Sequence, residues 1–176
     1  MSVGRTIYVA YLNGYAPPWA DALELGVAEE FLCPVRGLEV ELDLAAAFAA
    51  ERQQYHATLL LAALLRSLPD PAAKIVGFTQ IDLFIPVLTF VFGQSQLSGA
   101  GALVSTHRLH TEYYGLPPDE GLLLERAIKE AVHELGHAFG LVHCTDYRCV
   151  MHAATYAEDV DLKGAAFCPA CRSFLA

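Results

Sequence analysis

A chain of 176 residues with 55% hydrophobic and 18% charged side chains is too apolar for disorder and long enough to bury one domain's core. Eleven Lys and Arg against twenty Asp and Glu leave a net charge of −9 with no basic cluster, so nucleic acid and anionic membrane are poor partners. The most apolar stretches, residues 83–92 and 58–65, are far shorter than a membrane span, and the opening Met1-Ser2-Val3-Gly4-Arg5 has no secretory pattern, so neither a transmembrane helix nor export is expected.

Residues 5–12 are strand-like, rich in β-branched and aromatic side chains. Pro17-Pro18 opens a helix running to about Phe31, since proline suits a first helical turn. Residues 34–42 carry Val35, Leu38, Val40 and Leu42 and read as a second strand. The Ala/Leu-rich residues 44–68 predict one long helix, stopped by Pro69-Asp70-Pro71. Strands follow at 74–79, 87–92 and 102–106, with a Gly-rich loop over 93–101. This alternation implies an α/β organisation with some parallel pairing. Pro86 cannot donate to a ladder, so the strand over 87–92 belongs at a sheet edge, where an extended peptide could add itself. From the residues alone, an ordinary hairpin is the favoured reading of that strand.

After Leu116-Pro117-Pro118-Asp119, the residues Leu124, Ala127, Ile128, Ala131 and Leu135 recur at helical spacing. Within this helix lies His133-Glu134-Leu135-Gly136-His137. Residues i and i+4 share a helix face, so both imidazoles can reach one ion. Glu134 sits about 100° around the helix from His133, which suits a base beside the metal and outside its ligand set. A straight helix would carry His143 about 15 Å along the axis from His133, so the chain has to turn back. Gly140 is the residue type that takes the left-handed conformation such a turn needs. Three neutral imidazoles leave one coordination position free, as in catalytic zinc sites. A bare His-Glu-x-x-His occurs by chance on many helices, and it is the added Gly140 and His143 that make the spacing specific. His56, His107, His110 and His152 are expected in surface or hydrogen-bonded roles, with His152 nearest the site in sequence.

Five cysteines are distributed unevenly: Cys33 alone, then Cys144, Cys149, Cys168 and Cys171 near the end. The odd count without a leader argues against a disulfide framework. A redox pair at Cys168-Pro169-Ala170-Cys171 is the rival to metal binding, but redox pairs usually open a helix after an early strand. Four thiolates fit a closed tetrahedral zinc, which would staple a C-terminal lobe of roughly thirty residues, too small to hold itself by apolar burial. Cys33 reads as a buried free thiol.

The run His133-Glu134-x-x-His137-x-x-Gly140-x-x-His143 resembles the metzincin zinc peptidases. The continuation through Cys144, Cys149-Val150-Met151 and Cys168-x-x-Cys171 resembles one branch, the archaemetzincins, over residues 132–172, about a quarter of the chain. Phe90-Val91-Phe92-Gly93 and Val104-Ser105-Thr106 are similar to that family more loosely. Sixteen residues separate Met151 from Cys168, one fewer than in the family pattern, a loop change that chains tolerate easily.

The resemblance implies a metzincin-like α/β (α+β) fold: a mixed twisted sheet, backing helices, an active-site helix and a small zinc-stapled C-terminal lobe. It implies one metalloprotease domain over residues 1–176, with an upper subdomain at 1–140 and a lower one at 141–176. His133, His137 and His143 would hold a catalytic zinc, with Glu134 as general base and Gly140 at the turn between lobes. Met151 would form the Met-turn beneath the ligands, and Cys144, Cys149, Cys168 and Cys171 would hold a second, structural zinc. The strand near Leu88 to Phe92 would align an extended peptide substrate, in a cytoplasmic enzyme. Tyr147 and Tyr156 are expected to pack or face solvent and not to assist the zinc. The implied activity is zinc-dependent peptide hydrolysis; the rival is a non-catalytic zinc-stabilised peptide- or protein-binding module, disfavoured because Glu134 is present. A metal-storage or redox protein is a weaker third reading.

Overall fold

The structure, a computed structural model, describes residues 6–71 and 73–176. Its first half contains β1 (Ile7–Leu12), α1 (Ala20–Phe31), β2 (Val35–Val40), a 3₁₀ turn (Ala45–Ala47), β3 (Phe48–Ala49), β4 (Gln54–His56) and α2 (Ala57–Leu65). Then come β5 (Lys74–Thr79), β6 (Leu83–Phe84), β7 (Gly93–Ser95), β8 (Gly101–Ser105) and a second 3₁₀ turn (Thr111–Tyr114). Three helices close the chain: α3 (Glu120–Ala138), α4 (Ala157–Leu162) and α5 (Pro169–Leu175).

The main sheet has the order β2-β1-β5-β8-β7, parallel throughout except for β7, which runs antiparallel to β8 at one edge. In β1, Ile7, Val9 and Tyr11 enter one core while Ala10 and Leu12 enter the other. That division is what a strand covered on both faces requires. Leu23 and Val27 of α1 and Leu123, Ala127, Ala131 and Leu135 of α3 fill the first core. Leu60, Leu61 and Leu64 of α2 fill the second, against Ile75 and Leu103. A third cluster joins Val132 of α3 to Val150, Met151, Phe167 and Cys171. The fold is therefore the mixed α/β arrangement expected, with helices backing a sheet and a cysteine cluster near the C-terminus. No helix of the described residues is long and apolar enough to cross a membrane.

Two expected elements are corrected. Residues 44–68 do not form one helix: a 3₁₀ turn, the β3–β4 hairpin and the shorter α2 replace it. Gln53 takes φ +55, which ends any right-handed helix, and Tyr55 N–H donates to Asp82 O at 2.9 Å as β4 pairs with β6. Sheet pairing overrides the helix propensity of this Ala-rich run. Residues 87–92 are not a strand either. The chain turns where Leu88 N–H meets Ile85 O at 3.1 Å, and Val91 makes a single isolated bridge to Leu83. The edge strand is β7, displaced into the stretch read as a glycine loop. Arg52 holds the displaced segment by donating to Leu88 O and Thr89 O, each at 2.9 Å.

The other strands and α1 lie near their expected bounds, and Arg5 falls outside the described residues. Cys33 is free as expected, but half-buried and not buried. The helices α4 and α5 were not anticipated. Asp159 caps α4 by accepting from Thr155 and Tyr156 N–H at 2.9 Å, and Pro169 opens α5.

Candidate active site

Asp119 starts α3, its Oδ1 accepting from Leu122 N–H at 2.9 Å. At the other end Gly140 takes φ +103. Gly140 N–H donates to His137 O and Leu141 N–H to Gly136 O, both at 2.9 Å, which is the Schellman pattern of helix closure. The turn sends the chain back beneath the helix end, so His143 joins His133 and His137, with ring centroids 5.2 and 4.9 Å away. One ligand atom from each of the three lies within 4.8 Å of the others.

The tautomers follow from the backbone. His133 Nδ1 lies 2.8 Å from Val150 O and His137 Nδ1 lies 2.7 Å from Leu141 O. A carbonyl oxygen only accepts, so both Nδ1 atoms carry the proton and both Nε2 atoms present lone pairs. Those Nε2 atoms stand 3.2 Å apart. Burial, with the Lys163 charge next in weight, holds His133 well below the usual imidazole range, so it stays neutral. Two facing lone pairs repel unless a cation lies between them, and zinc bonds of about 2.0 Å arranged tetrahedrally put nitrogens about 3.3 Å apart. The donor set fits the ion.

Glu134 faces the same cleft, buried, with Ser95 Oγ donating to its Oε2 at 2.8 Å. Burial first and the neighbouring Glu130 second push its carboxyl up to about 8, against the pull of Ser95 and Lys163. The cleft encloses about 400 Å³ between residues 88–95 and 153–155, and Glu130 and Lys163 also line it. Three cationic or acidic residues of α3 reach the segment after the metal loop. Arg126 pairs with Asp161 through two contacts of 2.7 Å, Lys129 Nζ donates to Val160 O at 3.1 Å, and Glu130 lies 3.1 Å from Lys163.

Met151 is fully buried, packed against Gly136 on α3. A Cβ at Gly136 would collide with Met151 Sδ, so this glycine is what lets the methionine seat there. Beyond it, Cys144, Cys149, Cys168 and Cys171 bring their sulfurs within 4.8 Å of one another without a disulfide. Cys144 Sγ and Cys168 Sγ are 3.8 Å apart, matching the edge of about 3.8 Å in a zinc tetrahedron with bonds of about 2.3 Å. The backbone N–H of Cys171 lowers the Cys168 thiol, while burial raises Cys149 and Cys171, so a bound cation is what would hold these sulfurs together as thiolates. The four sulfurs fit zinc in their turn.

Residues 27–176 match the sequence profile of Peptidase family M54. The chain is 44% identical to the archaemetzincin of Methanocaldococcus jannaschii over 71% of this chain and 68% of that protein. It is 46% identical to that of Pyrococcus furiosus over 68% of this chain and 63% of the relative, so these alignments span roughly two thirds of each curated protein. The chain belongs to the archaemetzincins, Peptidase family M54. That membership places it among the zinc-dependent metallopeptidases, a class of hydrolase. A solved zinc-dependent peptidase of Methanocorpusculum labreanum superposes with a TM-score of 0.89 at 28% identity, over 97% of this chain and all of that one. The archaemetzincin of Methanopyrus kandleri gives 0.85 at 36% identity, over 98% of this chain and 93% of the other. That of Archaeoglobus fulgidus, solved with malonate, gives 0.80 at 35% identity, over 96% and 99%.

Against this archaemetzincin frame, the structure brings together the sequence-predicted histidines around one point and the cysteines around another. Leu88 and Phe90 line the cleft, but from an irregular segment. The remaining histidines stay outside both clusters: His107 Nδ1 contacts Gln80 O, His152 Nδ1 contacts Cys144 O, and His110 lies 3.6 Å from Glu112. His56, half-buried, lies tilted against Phe84, with its Nδ1 unbonded among the described residues. Tyr147 and Tyr156 are exposed. Ser95, Glu130 and Lys163 were missed. Glu130 and His133 are three apart on one helix face, a spacing that could have flagged Glu130; nothing local marks Ser95 or Lys163.

Proposed function

We propose that this chain hydrolyses peptide bonds, with His133, His137 and His143 holding a catalytic zinc and Glu134 as the general base. The observation that carries the reading is the pair of unprotonated Nε2 atoms of His133 and His137, 3.2 Å apart with both Nδ1 protons committed to carbonyls. A zinc ion held there supplies Lewis-acid activation of a water molecule and of the carbonyl it attacks.

The remaining steps belong to the chain's own groups. Val150 O and Leu141 O orient the imidazoles and raise their basicity as ligands. Ser95 Oγ–H holds Glu134 Oε2, so Oε1 takes the proton from the attacking water and returns it to the leaving amine. The edge of β7 that faces away from β8 aligns an extended substrate across the cleft, in place of the segment from Leu88 to Phe92.

Cys144, Cys149, Cys168 and Cys171 hold a second, structural zinc that staples residues 141–176, the lower subdomain, to the upper one at 1–140. Met151 serves as the packing floor of the histidine site. The charge of −9 favours neither nucleic acid nor anionic membrane as a partner, and the free, half-buried Cys33 suits a reducing, cytoplasmic setting.

The test is hydrolysis of a peptide library by zinc-loaded protein, repeated after chelation and after zinc is returned. Cleavage that disappears and comes back with zinc is the expected result. Absence of any cleavage by fully loaded protein would leave the binding-module reading in place.

A further inference from the structure

Leu88 and Thr89 turn their carbonyls toward one side chain. A terminal nitrogen of Arg52 donates to Leu88 O and Thr89 O, each at 2.9 Å, and Gln54 Nε2 donates to Thr89 O at 3.0 Å. Arg52 Nε also donates to Gln54 Oε1, and Gln54 Nε2 to Asp82 Oδ2, each at 3.0 Å. Arg108, paired with Asp82 at 2.7 Å, lies over the Phe90 ring at 4.3 Å. Leu88, Thr89 and Phe90 line the cleft, whereas Arg52 and Gln54 stand behind them and do not. In a trans peptide the N–H points opposite to the preceding carbonyl, and no described peptide bond is cis. The N–H groups of Thr89 and Phe90 therefore point away from Arg52 and toward the cleft. Neither donates a hydrogen bond among the described residues. Successive N–H groups aimed one way form an anion-binding concavity. The Arg52 guanidinium pairs with no carboxylate among the described residues, so its charge stands behind both donors.

The edge of β7 stops beside this pair. Ser105 N–H donates to Phe92 O and Gln96 N–H to Gly101 O, so the even-numbered residues turn to β8, and Gly93 and Ser95 keep the free edge. Glu134 lies against both of them. Val91 is next in the odd series, and its N–H already bonds Leu83 O at 3.0 Å. Leu83 thus stands where a peptide paired to Gly93 and Ser95 would continue. A peptide antiparallel to β7 brings its C-terminus to this end, where the interior of a longer chain would meet Leu83 and a chain end fits. A carboxylate satisfies two N–H donors backed by a positive charge.

We propose that the N–H groups of Thr89 and Phe90, positioned by Arg52 and Gln54, bind the C-terminal carboxylate of the substrate, so that the cleft releases short fragments from peptide C-termini. This rests on the peptidase reading above and names the substrate end that the same cleft takes. An extended chain covers about 3.3 Å per residue, so a carboxylate at Phe90 and a scissile bond opposite Gly93 leave a fragment of about two or three residues.

The test compares octapeptides of one sequence ending in a free carboxylate or in a carboxamide. kcat/KM and the cleavage position are measured with the zinc-loaded protein, and Kd for the same pair with zinc-loaded Glu134→Gln. The expected result is a preference for the free acid of roughly tenfold or more in both measurements. The cut should keep its distance from the C-terminus when the peptide is lengthened at its N-terminus. In Arg52→Met the acid-to-amide ratio should fall toward one, and Arg52→Lys, which keeps the charge, should retain part of it. Equal use of acid and amide by the unaltered protein overturns the proposal, whether or not the variants fold. A ratio preserved in folded Arg52→Met overturns it as well, because the carboxylate then binds elsewhere. Acid-selective, Arg52-dependent binding without hydrolysis would sink the peptidase reading and leave this one standing. Hydrolysis without selectivity would do the opposite, and failure of both peptides to bind sinks both.

Discussion

His137 Nδ1 donates to Leu141 O at 2.7 Å, and the contact exists because Gly140, between them, takes φ +103. One glycine therefore closes α3, fixes the tautomer of His137 and turns the chain toward His143. Gly140→Ala would strain a left-handed position by about 1–2 kcal/mol and bring Cβ within 3.1 Å of Ser98 Oγ. Zinc affinity should fall roughly 10–100-fold, as happens when the group that orients a ligand is lost. Zinc titration against a competing chelator measures it, and an unchanged affinity would mean that the turn does not set the histidine geometry.

Met151 and Gly136 share one contact. Gly136→Ala should cost about 1–3 kcal/mol by overpacking and lower the melting temperature by several degrees. Adding Met151→Ala should recover part of that loss, since the collision is with its sulfur, and the two effects should therefore not add. Additive losses in a double-mutant cycle would show that Met151 is not what requires the glycine.

Cys168→Ser should remove one zinc of two and destabilise residues 141–176 far more than a surface change, because metal binding at such sites is folding free energy on the order of 10 kcal/mol. Elemental analysis and thermal unfolding check both halves. Unchanged stability after losing that ion would refute the stapling role.

The motif residues were legible because their chemistry is local. Two histidines one helical turn apart share a face on any helix, and Cys168 and Cys171 are three apart at a helix start. The parallel strands were legible too, since Lys74–Thr79 is buried from both sides and reads as a continuous apolar run. Residues 44–68 misled because Ala and Leu propensity outweighs, on paper, a pairing of Tyr55 with Leu83 that spans 28 positions. The edge strand misled for a related reason. Gly93–Ser95 lacks the apolar alternation of a strand, and only its pairing with Val104, Leu103 and Ala102 makes it one. Ser95 reaches Glu134 across 39 positions and Lys163 reaches Glu130 across 33, distances over which no spacing rule operates.

His133 should make the metal-free protein acid-sensitive. Burial, then Lys163, lowers its pKa in the folded chain, while the unfolded chain takes up a proton near 6.5. Below that value the unfolded state binds more protons, so stability is lost as pH falls from about 6.5 toward the folded-state pKa. The melting temperature of metal-free protein should drop between about pH 7 and pH 5, and zinc should oppose the drop by occupying Nε2. A flat profile would show that His133 protonates as freely folded as unfolded.

In the proposed mechanism Glu134 moves the proton while the three histidines hold the ion. Glu134→Gln retains size, helix propensity and an oxygen for Ser95 Oγ–H, while its neutral amide cannot accept a proton. Zinc content and peptide turnover of this variant, measured on the same sample beside the unaltered protein, separate proton transfer from metal binding. Full zinc occupancy with hydrolysis lowered by roughly 10² or more is the expected result. Full occupancy with undiminished hydrolysis would contradict it.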